Sequence, residues 1–278
     1  MPSTYYVPPL ITSLSPAPSA DALLVCDTDG VPRWIPRSVL TSGDIRNMYQ
    51  PYIMFNLDMQ TGAFVSPAGS VISKYVDLSQ YDNTITTLIS ENPSTDNNRR
   101  YVIIPVNAFS FFSIDSTCFT TASSCFTIFI VWKRSGNEAT NTNHFLFESQ
   151  TTPTFSLRGN ENDGFYTCLW DGNTITSSAN TYTKKTTWTV TSVTVNIPDE
   201  SITIRENCAQ VATATNTLTE NQFDWQVSGM SFFASASGSS VICDCGQFLV
   251  VDTYANMTQV QNIEKFLLFQ WGVFNLVA

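Results

Sequence analysis

Residues 245–272, CGQFLVVDTYANMTQVQNIEKFLLFQWG, place an apolar strand pattern directly ahead of the one amphipathic helical pattern in a chain whose other patterned segments read as β-strands. Thr258 with Gln261 three residues later makes a capping box that predicts the start of a helix. Val260, Ile263, Leu267 and Trp271 then fall on one stripe, and Gly272 stands where a left-handed C-terminal cap belongs. A lone helix with one apolar stripe must bury it against something. In a β chain that surface is the face of a sheet, so the tail predicts a layered β structure roofed on one side by a single helix.

From about Pro51 onward, short β-patterned runs recur between turn residues, which points to a sandwich or barrel rather than to βαβ units. FTIFIVW (126–132) is continuously apolar and reads as a central strand buried on both faces. HFLFES (144–149) and FSLRG (155–159) follow. Asp163-Gly164 and Asp171-Gly172 bracket a strand from Phe165 to Trp170, predicting three antiparallel strands joined by tight turns. In WTVTSVTVNI (188–197), Val193, Val195 and Ile197 share one face while Trp188 and Val190 share the other, and a β-bulge between the two sets would bring all five into the core. Pro198-Asp199-Glu200 turns the chain into SITIREN, with Ile202 and Ile204 in phase. No segment repeats at a fixed period, which counts against a propeller or solenoid. The expected fold is therefore all-β: an antiparallel sandwich or barrel with one C-terminal helix.

The first fifty residues differ. Pro2, Pro8, Pro9, Pro16, Pro18, Pro32 and Pro36 are seven of the thirteen prolines, and they exclude regular helix and central strand over most of this stretch. Residues 1–50 are expected as an extended N-terminal arm ahead of a 51–278 domain. Within the arm, Leu23–Cys26, a turn at Asp29-Gly30 and an extended piece with Trp34 and Ile35 read as a small hairpin; the alternative is a disordered linker with one apolar patch.

Charge narrows the function. Charged residues make up 13% of the chain, against ~25% in typical soluble proteins, and the formal net charge is −10. Without a Lys/Arg cluster, neither nucleic acid nor an anionic membrane surface is an expected partner. No basic-plus-apolar leader is recognisable, and no apolar run reaches the ~18 residues of a membrane span. The seven cysteines, an odd number scattered through strand patterns, predict free thiols and folding in a reducing cytoplasm. Cys243 and Cys245 form a C-x-C pair, but zinc sites want wider spacing and a second ligand pair, and His144 is the only histidine.

The order FTIFIVWK, TTWTVTSVTVN, SITIRENCAQVA and the closing strand-turn-helix with its aromatic-Gly end resembles the concanavalin A-like, laminin G-like jelly-roll domains, over roughly residues 50–274. SKYVDLSQYDNTITTL is similar to the early W-x-D-x-S segment of that family. The resemblance implies a helix packed beside a sandwich. This chain departs from the pattern at Asn207-Cys208, where relatives often have Asn-Gly and where Cys tolerates positive φ less well. It departs again at Gln247, where they often carry a carboxylate, which counts against a metal or acid role there. The glucanase branch's Glu-x-Asp-x-Glu strand motif is absent.

Retaining glycoside hydrolysis needs two carboxylates about 5 Å apart, and no strand pattern supplies them on one face. Glu161 and Asp163 have the spacing but read as solvated hairpin residues, with a calcium ion held by both and by backbone carbonyls as the alternative. His144 with a cysteine lacks an orienting third group and reads as structural. Sugar binding is the better candidate: Tyr166, Trp170, Asp171 and Asn173 put aromatic rings and hydrogen-bonding groups near one hairpin, unless that strand face is core.

A cytoplasmically made protein with a lectin-like domain and an arm that finds its burial on neighbours fits a virion component, assembled in the host cytoplasm. The expected function is a non-enzymatic viral structural protein: a minor capsid, fibre or decoration component. It would contact other virion proteins through the arm, form a homo-oligomer, take host glycan as a candidate ligand, and require no cofactor beyond the Ca²⁺ alternative. The competing expectation is a carbohydrate-active enzyme or its accessory binding module.

Overall fold

A computed structural model of the chain describes residues 22–26, 32–36, 53–60, 63–65, 72–79, 85–87, 93–96, 99–104, 112–114, 122–134, 143–149, 155–160, 165–170, 173–177, 187–215, 223–224, 230–232, 243–252 and 257–273. In chain order the strands are β1 (Ala22–Cys26), β2 (Pro32–Pro36), β3 (Ile53–Asp58), β4 (Ala63–Val65), β5 (Ile72–Tyr75), β6 (Ile85–Thr87), β7 (Pro93–Asp96), β8 (Arg99–Ile104), β9 (Phe112–Ile114), β10 (Ala122–Ser123), β11 (Cys125–Arg134), β12 (Asn143–Ser149), β13 (Phe155–Asn160), β14 (Phe165–Trp170), β15 (Asn173–Thr176), β16 (Thr189–Asn196), β17 (Ser201–Glu206), β18 (Ala209–Ala214), β19 (Phe223–Asp224), β20 (Met230–Phe232) and β21 (Cys243–Asp252). Helix α1 (Met257–Gln270) follows.

The pairing builds an antiparallel β-sandwich. An eight-stranded sheet runs β18-β17-β16-β11-β21-β8-β7, with β3 also on β21, and a seven-stranded sheet runs β15-β14-β13-β12-β20-β9-β6. Phe126, Ile128, Ile130 and Trp132 of β11 point into the core between the sheets with Leu157, Tyr166, Cys168 and Trp170. Phe129 and Val131 of the same strand point the other way, under the helix. Strict alternation across a doubly covered strand explains the unbroken apolar run. The helical stripe lands as its spacing predicts: Val260, Ile263, Leu267 and Trp271 pack with Phe129, Val131, Val190, Leu249 and Val251. Each such fully buried aliphatic side chain contributes about 1.5–3 kcal/mol.

Details at the ends of these elements differ from the sequence expectation. The helix begins at Met257, so Thr258 is an exposed residue inside the first turn rather than its cap. The other end is as expected. Gly272 has φ 77°, its N–H donates to Phe269 O (3.1 Å), and Val273 N–H donates to Leu268 O (2.9 Å), the two bonds of a Schellman cap.

The bulge expected between Trp188 and Val193 is absent, because the β11–β16 register runs unbroken from Cys125↔Asn196 to Trp132↔Thr189. Trp188 and Val190 instead serve the helix side while Val193, Val195 and Ile197 serve the inter-sheet core, so both sets are buried without a bulge. A bulge does occur in β21, where Val131 faces Gln247 and Trp132 faces Cys245, leaving Gly246 as the extra residue.

Two local features match their sequence signals. β13, β14 and β15 form the expected antiparallel trio, and β1 pairs with β2 as a hairpin. In the D-x-S segment, Asp77 Oδ1 accepts from Asn56 N and Ser79 N (both 2.9 Å) while Ser79 Oγ donates to Asp77 Oδ2 (2.5 Å), so this buried turn clamps β3. The Asn207-Cys208 turn has φ of 48° and 70°, the doubly left-handed geometry that a two-residue hairpin requires even without Gly.

Candidate functional site

Tyr166 and Trp170 lie on a strand face that is core. Both have zero exposure, and Trp170 packs against Phe155 (ring centroids 5.0 Å) and Phe126 (6.4 Å). The Tyr166 hydroxyl donates to Glu206 Oε2 at 2.6 Å, tying one sheet to the other. The aromatic platform expected on this hairpin is therefore corrected: alternation across β14 turns both rings inward, where no sugar can reach them. Asn173 opens β15, and Asp171, Glu161 and Asp163 lie outside the described residues. Among the described residues no group of three His, Cys, Asp or Glu side chains could hold a metal ion, and no helix is long and apolar enough to cross a membrane. Cys125, Cys168, Cys208, Cys243 and Cys245 stand outside any disulfide, and burial pushes Cys168 and Cys245 well above the usual thiol range.

The structure assembles a different site, where the sheet face runs on past the end of the helix. An open cleft of about 400 Å³ is lined by Asp96, Lys133, Thr187, Trp188, Trp271, Gly272 and Val273. β7 supplies Asp96, the far end of β11 supplies Lys133, the approach to β16 supplies Thr187 and Trp188, and the end of the helix supplies Trp271, Gly272 and Val273. Lys133 Nζ donates to Asp96 Oδ2 (2.5 Å) and lies 3.5 Å from Asp244 Oδ2. It also sits over the rings of Trp188 (4.8 Å) and Tyr101 (5.0 Å). Trp188 Nε1 donates to the same Asp96 oxygen (3.0 Å), and its ring packs on Trp271 (centroids 4.3 Å) and edge-on to Tyr101 (5.4 Å). Burial alone would lower the Lys133 pKa, but Asp96 and Asp244 outweigh it and hold the ammonium above its ordinary value. The lysine is charged at any physiological pH.

A buried polar chain anchors the floor. Arg99 Nη2 donates to both oxygens of Asp58 (3.0 and 2.9 Å), with both side chains buried. With the Gln270 amide turned so that its oxygen faces Arg99, Gln270 accepts from Arg99 Nη2 and Nη1 (2.9 and 3.0 Å) and donates to Gln247 Oε1 (3.2 Å). Gln247 donates to Asn56 Oδ1 (3.1 Å), and the Arg99 guanidinium lies 4.9 Å over the Trp271 ring. Gln247, noted in the sequence only as a missing carboxylate, thus links the helix end to β3.

Sequence reasoning did not find this cleft. Asp96 and Trp188 stand 92 positions apart, and only the β7-β8-β21-β11-β16 order brings them together. The usable signals were Lys133 closing an otherwise apolar run and Trp188 standing out of phase with Val193.

No protein-family model and no curated protein matches the sequence. Solved structures do. The chain is similar to the binding domain of Paraclostridial Mosquitocidal Protein 1, with a TM-score of 0.58, 13% identity, and 80% of this chain and 55% of that one covered. It is also similar to the binding domain of Botulinum Neurotoxin DC in complex with SialylT (TM-score 0.50, 12% identity, 78% and 51% covered). A third is Trypanosoma rangeli sialidase in complex with the inhibitor DANA (TM-score 0.51, 10% identity, 76% and 32% covered). At these identities the likeness is one of fold: a β-sandwich shared with binding domains. The chain spans about half the length of the two binding-domain chains.

Proposed function

We propose that this chain is a non-enzymatic sugar-recognising head of a virion structural protein: a minor capsid, fibre or decoration component. The observation that carries the sugar reading is the cleft, in which a carboxylate, an ammonium and the exposed Thr187 converge above two packed indoles. Groups of this kind hydrogen-bond hydroxyls, and sites that orient small polar ligands combine an apolar floor with a few placed polar groups. That a similarly folded binding domain is in complex with SialylT supports the reading. The virion assignment is supported by the Pro-rich first fifty residues, which would join neighbouring virion proteins or further copies of this chain, and by the low-charge, hydroxyl-rich composition. A non-catalytic role is supported by the cleft's charges: Asp96 and Asp244 share one lysine as ion-pair partners, not as a proton donor facing a nucleophile.

The second reading, a carbohydrate-active enzyme or its accessory module, is favoured by the likeness to a sialidase structure. Glycan-array screening of the full chain, read beside electron microscopy of native particles, separates the two. The proposal expects bound glycan without turnover and a chain placed in a shell or fibre; glycoside cleavage with no particle association supports the second reading instead.

A further inference from the structure

Among the described residues, every cation at the cleft is already matched. Lys133 lies between Asp96 and Asp244, and Arg99, which sits over the Trp271 ring, is held by Asp58. That is two cations against three carboxylates, in a chain whose formal net charge is −10. The ring faces are taken too: Trp188 is covered by Trp271, Tyr101 and the Lys133 ammonium and is 3% exposed, while Trp271 is 1% exposed. Asp96 and Lys133 nevertheless reach the solvent, with 35% and 16% of their side chains exposed. The groups a ligand meets are therefore a carboxylate and an ammonium side by side, with Thr187 at the rim.

From this we infer that the cleft takes an uncharged sugar, gripped by neighbouring hydroxyls that donate to Asp96 and accept from Lys133, and that it rejects acidic glycans. The inference rests on the carbohydrate reading above and names its ligand class. A carboxylate offers about four acceptor sites and an ammonium three donors; Asp96 accepts from Lys133 and Trp188, and Lys133 serves Asp96 and Asp244, so each keeps room for one hydroxyl. A sialylated or sulfated ligand would have to draw Lys133 away from two carboxylates while adding a third negative charge beside them. Stacking contributes little here, because both indoles are almost fully buried.

The test uses the full chain and an array of neutral oligosaccharides printed beside the same oligosaccharides capped with sialic acid, followed by titration of the strongest neutral binder. Neutral forms are expected to bind and their sialylated counterparts to bind about tenfold more weakly or worse. Affinity for the neutral form should change by less than about twofold between about 50 and about 300 mM NaCl, since no ligand charge is screened. Asp96→Asn and Lys133→Gln should each lose about tenfold in affinity, with thermal melting reporting whether the fold is intact. Preference for the sialylated forms, or a steep salt dependence, overturns the inference and leaves the carbohydrate reading standing. Binding that both folded variants retain in full places the sugar elsewhere and overturns it as well. Absence of binding to any oligosaccharide overturns both; the sialylation and salt comparisons on the natural chain decide the matter even where a variant does not fold.

Discussion

Gly246 lies directly against Trp271. A Cβ on Gly246 would fall 2.6 Å from Trp271 Cζ2 and 2.7 Å from its Cη2, closer than any real side-chain carbon approaches a ring. The bulge in β21 that makes Gly246 the extra residue opens this spot, and the indole from the end of α1 fills it. Trp271 then meets Trp188 on the sheet and lies under Arg99, so one missing side chain seats the helix end, sets the floor of the cleft and positions the Gly272 cap on its rim.

Gly246→Ala is therefore expected to destabilise the protein by about 1–3 kcal/mol or more, because the atoms in the way belong to a rigid buried ring. Replacing Trp271 by Leu in the Gly246→Ala background should recover part of that loss. Urea unfolding of the two single variants and the double variant measures the coupling; strictly additive effects would show that the contact does not constrain the fold.

Asp58→Ala should cost about 3–5 kcal/mol, since it leaves the buried Arg99 guanidinium without its carboxylate beneath the helix end. The loss should extend to the cleft, because Arg99 also holds Gln270 and lies over Trp271. Denaturation midpoints test the first claim and near-ultraviolet circular dichroism of the tryptophans the second; a variant within about 1 kcal/mol of the natural chain would contradict both.

The architecture was legible where a residue's neighbours in sequence determine its environment. The Val260-Ile263-Leu267-Trp271 stripe, the Gly272 cap and the doubly buried run Phe126–Trp132 each carry a local pattern with one physical solution. Burial direction was harder to read: Tyr166 and Trp170 have the spacing of either a platform or a core face, and only the opposing sheet decides. The cleft was illegible for a related reason. Asp96, Lys133 and Trp188 sit on three strands whose adjacency follows from strand order, which no local period encodes. Trp188 illustrates the point: its local pattern needs a bulge to reach a single core, whereas the second core under the helix accommodates it by plain alternation.

Cys208 offers a test of backbone strain. Its φ of 70° is left-handed, where any side chain is disfavoured relative to Gly. Cys208→Gly and Cys208→Ala both remove the thiol, so their difference isolates the conformational cost. The Gly variant is expected to be more stable than the Ala variant by about 1 kcal/mol in urea unfolding. Equal stabilities would show that the turn relaxes when the Cys208 contacts with the helix-side core are gone.

Glu264 makes the stability of the roofing helix depend on pH. It is fully buried on α1, accepts from Ser192 Oγ (2.6 Å) and pairs with Arg205 Nε (3.1 and 3.2 Å). Burial raises its pKa above the ordinary 4.5 and outweighs Ser192, Arg205 and Cys208, all of which favour the carboxylate. A raised value means that the folded chain binds this proton more tightly than the unfolded one. The resulting stability is fully present below the unfolded value near 4.5 and is lost as pH rises through the folded value. Glu264→Gln removes the titration and keeps the shape. The stability advantage of the natural chain over this variant should therefore be largest in acid and shrink as pH rises past 4.5, with titrations elsewhere cancelling in the comparison. Urea unfolding of both proteins across that range measures the gap. A gap that widens with rising pH would mean that Arg205 and Ser192 overcome the burial, and that Glu264 enters the fold as a settled carboxylate.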